Sequence, residues 1–216
     1  MTGDLMPVTV LATRFIPNVS EDLAREWKLP NGFRSVGIIT TDCDDATYCA
    51  LDEATKEALV EVVYGRSFYA GAANASTALA GEVIGILAGP NPAEVTSGLK
   101  AAVSMLGQLG FRSANPDDSV VYFAHTISAT GNYLSQLADI RPGEALAYLI
   151  APPLEAMVGL DAALKASDVV QKAFFAPPSE TNFGGGLLTG TQSACKAACE
   201  AFEAAVLDVA GRPREV

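Results

Sequence analysis

The apolar and polar positions of the chain fall into blocks that predict an order of elements. VTVLATRFI (8–16) has the length and apolar content of a strand. SEDLAREWKL follows it with a helix signal: Ser20 is a natural cap, and Leu23 and Trp27 lie four apart on one face. SVGIIT (35–40) is a second strand, after which TTDCDDATY opens a helix. The segment GILAGPNPAEVTSGLKAAVSML (85–106) runs from strand to helix. Asn91 caps that helix, Pro92 takes its first position, and Glu94 supplies a capping-box acid. Val95, Leu99, Val103 and Leu106 form its apolar face, and Ala194, Ala198, Phe202, Ala205 and Val209 do the same near the C-terminus. Runs such as GEVIGILAG are apolar on both sides of a strand. They predict a sheet covered by helices, in an α+β or α/β layer.

The blocks recur. LDEATK (51–56) and LDAALK (160–165) share LDxAxK at an offset of 109, and the same offset sets SVGIIT over EALAYLI (144–150). VTVLATRFI and its helix correspond to VVYFAHTI (120–127) and GNYLSQLADI, and GILAGPNPAEV corresponds to GLLTGTQSACK (186–196). Each copy reads strand, helix, strand, helix, strand, strand, helix, the pattern of a tandem duplication. The predicted boundaries are 1–109 for the first domain, 110–119 for a linker (GFRSANPDDS) and 120–216 for the second. The first copy has about eight more residues between its third and fourth strands, in YGRSFYAGAANASTALAG, which carries no charge after Arg66 until Glu82. A long surface loop in a compact repeat commonly has a function.

Composition narrows the classes. The net charge is −11 over 216 residues, which leaves nothing to neutralise nucleic-acid phosphates. Charged residues make up 18%, against about 25% in ordinary domains. A chain so poor in charge is expected to bury extra surface against other subunits. The absence of a long apolar run predicts no membrane span, and the first 20 residues lack a secretory pattern, so a cytoplasmic location is expected. Cys43, Cys49, Cys195 and Cys199 form no CxxC and read as small buried hydrophobes, and His125 stands alone in an apolar strand. No GxSxG, phosphate loop, dinucleotide fingerprint or histidine pair for zinc appears, so no catalytic set and no cofactor is predicted. The sharpest polar cluster is Asp42, Asp44 and Asp45, with Glu82 as a partner if the fold brings it near. Acids opening a helix can serve its dipole, or they can converge on an ammonium group or a hard cation.

DCDDATYCALDEATKEALVEVVYGRSFYAGAANAS, LAGEVIGILAGPNPAEV, LAYLIAPPLEAMVGLDAALKASDV and PPSETNFGGGLLTGTQSACKAACEAF together resemble the tandem-domain shell proteins of the ethanolamine-utilisation bacterial microcompartment. The resemblance implies an α+β fold: a tandem duplication of circularly permuted microcompartment domains, with helices packed on mainly antiparallel sheets. It implies a homotrimer that mimics a hexamer and tiles with other shell proteins around a gated pore. It places Arg66, Phe68, Tyr69, Ala70, Gly71 and Asn74 in one pore loop and Thr181, Asn182 and Phe183 in another. It assigns ethanolamine to Asp44, Asp45, Glu82 and Phe111, and it associates zinc, at Asp44 and Asp45, with an open form. Two other readings stay open beside the tile: a ligand-responsive regulator that does not tile, and a metal-dependent enzyme that would still need a base or nucleophile.

Overall fold

The computed structural model describes residues 2–68 and 77–214. The chain forms two compact units. The first comprises Pro7–Leu109 together with Gly131–Leu134. The second comprises Met1–Met6, Gly110–Thr130 and Ser135–Val216.

The first unit contains β1 (Val10–Ile16), α1 (Glu21–Glu26), β2 (Ser35–Thr41), α2 (Asp44–Glu57), β3 (Glu61–Ser67), β4 (Val83–Gly89) and α3 (Pro92–Leu106). Its strands form an antiparallel sheet in the order β1-β2-β4-β3. The chain continues with β5 (Arg112–Ser113), β6 (Val121–Ile127), α4 (Asn132–Ala138), β7 (Ala145–Ala151), α5 (Pro153–Ala166), β8 (Val169–Phe175), β9 (Gly184–Gly190) and α6 (Gln192–Gly211). The second sheet has the order β5-β6-β7-β9-β8, again antiparallel. Without β5, which lies within residues 110–119, the two sheets have the same topology. Even the irregularity in the edge strand repeats, at Val62/Tyr64 and at Gln171/Ala173. The strand–helix order read from the repeat is the order observed, and the fold is α+β with two antiparallel sheets.

Each sheet buries a face under helices, and β7 is buried along its whole length. In the second unit Tyr122, Leu149, Leu188 and Phe202 form the centre of one core. In the first, Leu23 of α1 and Trp27, the residue that follows the helix, pack against Val19, Val36 and Ile86. Ser20 caps α1 through the Leu23 N–H at 3.4 Å, and Asn91 caps α3 through the Glu94 N–H at 3.0 Å.

Three local expectations need correction. The Glu94 carboxylate does not close a capping box; it accepts from the Leu59 N–H at 2.7 Å. The buried stripe of α3 is Val95, Gly98, Ala102 and Leu106, while Val103 is exposed. Small residues let α3 approach closely, and Leu99 is displaced across Gly37, where a Cβ would lie 2.6 Å from Leu99 Cδ1. In α6 the buried set is Cys195, Ala198, Cys199, Phe202 and Val206. Phe202 settles over Gly159, where a Cβ would lie 2.6 Å from its ring, and this rotates the helix from the alanine-rich face.

Candidate functional site

The acid cluster sits where β2 turns into α2. A knot of hydroxyls shapes that turn. Thr41 Oγ1 accepts from the Cys43 N–H at 3.1 Å and lies 2.7 Å from Thr47 Oγ1, which donates to the Cys43 carbonyl at 2.7 Å. The turn points Asp42 back toward the first strand, where its carboxylate accepts from the Thr9 N–H at 2.7 Å. Asp44 and Asp45 then occupy the first turn of α2, both buried. The residue that caps this helix is Cys43, whose side chain makes no cap bond.

Glu82 is brought to the same corner by backbone bonding. Its N–H donates to the Thr41 carbonyl at 2.8 Å, and its carbonyl accepts from the Phe68 N–H at 3.0 Å. Gly81 makes this possible. Its φ is +64°, and a Cβ there would lie 1.9 Å from the Thr41 carbonyl oxygen, so no other residue fits.

The electrostatics follow from this crowding. Burial pushes the Asp44 carboxyl above the ordinary carboxylate range, against hydrogen bonds from the Ser67 hydroxyl and from the backbone of Asp45 and Asp44. Glu82 is raised by partial burial first, then by the charges of Asp44 and Asp42. Among the described residues no lysine or arginine pairs with Asp42, Asp44 or Glu82. Such a corner favours a cation able to donate hydrogen bonds. Metal binding fits less well. Among the described residues no group of three or more His, Cys, Asp or Glu gathers to hold an ion, and two carboxylates fall short of the four ligands of a structural zinc.

The other expected residues lie as follows. Phe111 belongs to the second unit, where its ring meets those of Phe123 at 5.7 Å and Phe183 at 5.4 Å. Arg66 is the next-to-last residue of β3 and is exposed, and Phe68 is half-buried beside Glu82. Tyr69, Ala70, Gly71 and Asn74 lie outside the described residues. Thr181, Asn182 and Phe183 form a tight turn closed by the Ser179 N–H on the Phe183 carbonyl at 2.7 Å, with Asn182 at φ +68°. All four cysteines are free and buried. Burial raises each thiol, Cys199 to about 11, so the thiolate a nucleophile or ligand requires is scarce. His125 lies in β6 with its ring 5.9 Å from that of Phe123.

Sequence reasoning overlooked Asp52 and Thr55. Asp52 is buried in α2, and its two oxygens take the N–H groups of Gly131 at 2.7 Å and Leu134 at 2.8 Å. Thr55 Oγ1 takes that of Asn132 at 2.9 Å. Together they cap α4 from another helix, a task its own Gly131 lacks the side chain to perform. The clue in the sequence is a helix preceded by Gly131 where its counterpart is preceded by Ser20.

A family model described as the BMC domain matches residues 35–114. The bacterial microcompartment shell protein EutL of Clostridium perfringens is 63% identical over 214 residues, covering 99% of both chains. The chain belongs to the EutL family of bacterial microcompartment shell proteins. The crystal structure of the ethanolamine utilization protein EutL from Leptotrichia buccalis superposes over all of both chains, with a TM-score of 0.97 at 66% identity. The more distant trimeric shell protein PduB shares the fold, with a TM-score of 0.74 at 18% identity over 94% of this chain and 89% of its own. The duplicated sheets described above are thus the tandem BMC architecture of EutL, and this EutL-family chain is a microcompartment shell protein. Among its described residues no helix is long and apolar enough to cross a membrane.

Proposed function

We propose that three copies of this chain form a pseudohexameric tile in the shell of the ethanolamine-utilisation microcompartment, within the cytoplasm. The tile assembles with other shell proteins and is not an enzyme. The segments around Arg66–Asn74 and Thr181–Phe183 line a gated pore for small molecules. Ethanolamine binds at Asp44, Asp45 and Glu82, to which the family resemblance adds Phe111, and favours the closed pore. A ligand moves such an equilibrium only through unequal affinity for its two states.

One observation carries the ligand reading. The corner at Asp44 and Glu82 holds carboxyls raised by burial, with no lysine or arginine paired to them among the described residues. Ethanolamine at neutral pH is a small ammonium ion with a hydroxyl, which suits two carboxylates and a nearby hydroxyl such as Ser67. Zinc enters this reading only with ligands from outside the described residues. Thermal unfolding tests the site: ethanolamine should raise the midpoint, and Asp44→Asn or Glu82→Gln should abolish the rise. An undiminished rise in both variants rejects the site. Native mass tests the tile, since three chains are expected and a lone chain would favour a ligand-responsive regulator that does not tile.

A further inference from the structure

A chain of polar groups stands behind the acid corner. Tyr48 lies one turn beyond Asp44 in α2, on the same face, and its hydroxyl is 2.5 Å from that of Ser67, the last residue of β3. The Ser67 hydroxyl in turn bonds to the Asp44 carboxyl. Proton counting fixes the direction. Serine has one proton to give, and Asp44, as the carboxylate that meets a cation, only accepts. Ser67 therefore donates to Asp44, and Tyr48 must donate to Ser67. One lone pair is left on Ser67 Oγ. Packing holds the donor in place. A Cβ on Gly65 would lie 3.3 Å from Tyr48 Cε1, and the ring of Tyr133 is 6.0 Å away on centroids. Tyr48 and Ser67 are both half-buried, so neither is sealed from a ligand.

The second copy lacks all of these groups together. α2 and α5 have the same length, and matching their first residues sets Pro153 in the place of Asp44 and Met157 in the place of Tyr48. Gly65 faces Gly85 as Phe174 faces Gly186, so two residues further on Ala176 replaces Ser67. The fold therefore requires neither hydroxyl. Both accompany the acid and are missing where it is missing.

We infer that Tyr48 is a positioning residue which, through Ser67, makes the corner prefer an amino alcohol to a plain alkylammonium ion. Tyr48 has this role only if the corner takes an ammonium ligand, as proposed above. Asp44 and Glu82 accept the ammonium protons, and the open lone pair of Ser67 accepts the proton of the ligand's hydroxyl. Asp44 and Ser67 are bonded to each other, so the ammonium and hydroxyl they take must be close together in the ligand, as they are across two carbons. The bond from Tyr48 fixes the Ser67 rotamer before the ligand arrives, which lowers the ordering cost of binding.

Calorimetric titration with ethanolamine and with ethylamine, which has the same ammonium group and no hydroxyl, tests this role. The wild type should bind ethanolamine about tenfold more tightly, the worth of one well-placed hydrogen bond. Ser67→Ala should erase the preference, and Tyr48→Phe should shrink it several-fold. Structural damage alone would weaken both ligands alike and keep their ratio. Should Tyr48→Phe not fold, Tyr48→Met decides, since the second copy carries that residue in the matched place. An undiminished ratio in the Tyr48 variant overturns its role. Equal binding of the two amines by the wild type overturns the preference and leaves the acid corner standing. Binding of neither amine overturns the corner itself.

Discussion

α2 and α5 are the same helix in two copies of one fold, yet they begin differently. α2 begins with Asp44 and Asp45 after Cys43; α5 begins with Pro153 and Leu154 after Pro152. Neither capping residue makes a side-chain cap bond, and both helices run 14 residues. Likewise Glu82, just ahead of β4, is matched by Phe183 just ahead of β9. The second copy shows that the fold needs no acid at these places. The buried carboxyls of the first copy are therefore no requirement of the helix start, which agrees with the ligand site proposed above.

Substitutions can break or sharpen this contrast. The largest effect is expected at Asp52, an acid with a structural duty. Asp52→Ala strands two buried N–H groups of α4 and should cost about 3 kcal/mol, read by chemical denaturation. Next is the turn that delivers Glu82. Gly81→Ala forces a side chain into the left-handed region against the Thr41 carbonyl and should cost more than about 1 kcal/mol. Its counterpart Asn182 adopts φ +68°, and Asn182→Gly should leave the unfolding midpoint almost unchanged.

A smaller effect of opposite sign is expected at Asp44. Its charge is held in a buried place at a cost, so Asp44→Asn should raise the unfolding midpoint by a few degrees at neutral pH. The mildest test uses pH alone. Burial raises the carboxyls of Asp44, Asp52 and Glu82, so the folded chain holds their protons more tightly than the unfolded chain does. The stability this contributes is complete below the ordinary carboxylate range and is lost as pH rises through the raised values. The midpoint contributed by these groups should therefore fall as pH climbs from the ordinary carboxylate range toward neutrality. Asp44→Asn should flatten that slope, and an unchanged slope would remove Asp44 from the set.

The repeat made the fold legible, because strand length, helix period and turn residues are local signals that appear twice. Helix faces were less legible. Periodicity places Leu99 and Val103 with Val95, but Gly37, Gly98 and Ala102 decide how closely the helix approaches, and that is settled by the opposing surface. The acids at 42–45 stand out as a cluster in the chain. Asp52 does not, since a lone aspartate on a helix looks like a solvated position until the N–H groups it serves are brought to it from 79 and 82 residues away.

Fusing two copies into one chain also fixes a stoichiometry. The acid corner occurs once per chain because Pro153 and Leu154 occupy its second place. In the tile proposed above, acidic and apolar stations would alternate, so calorimetric titration of a small cation should saturate at one equivalent per chain. Six identical domains could not achieve that alternation. A duplicated chain thus carries a two-letter pattern where a single domain would carry one letter, and each letter can change without altering the other.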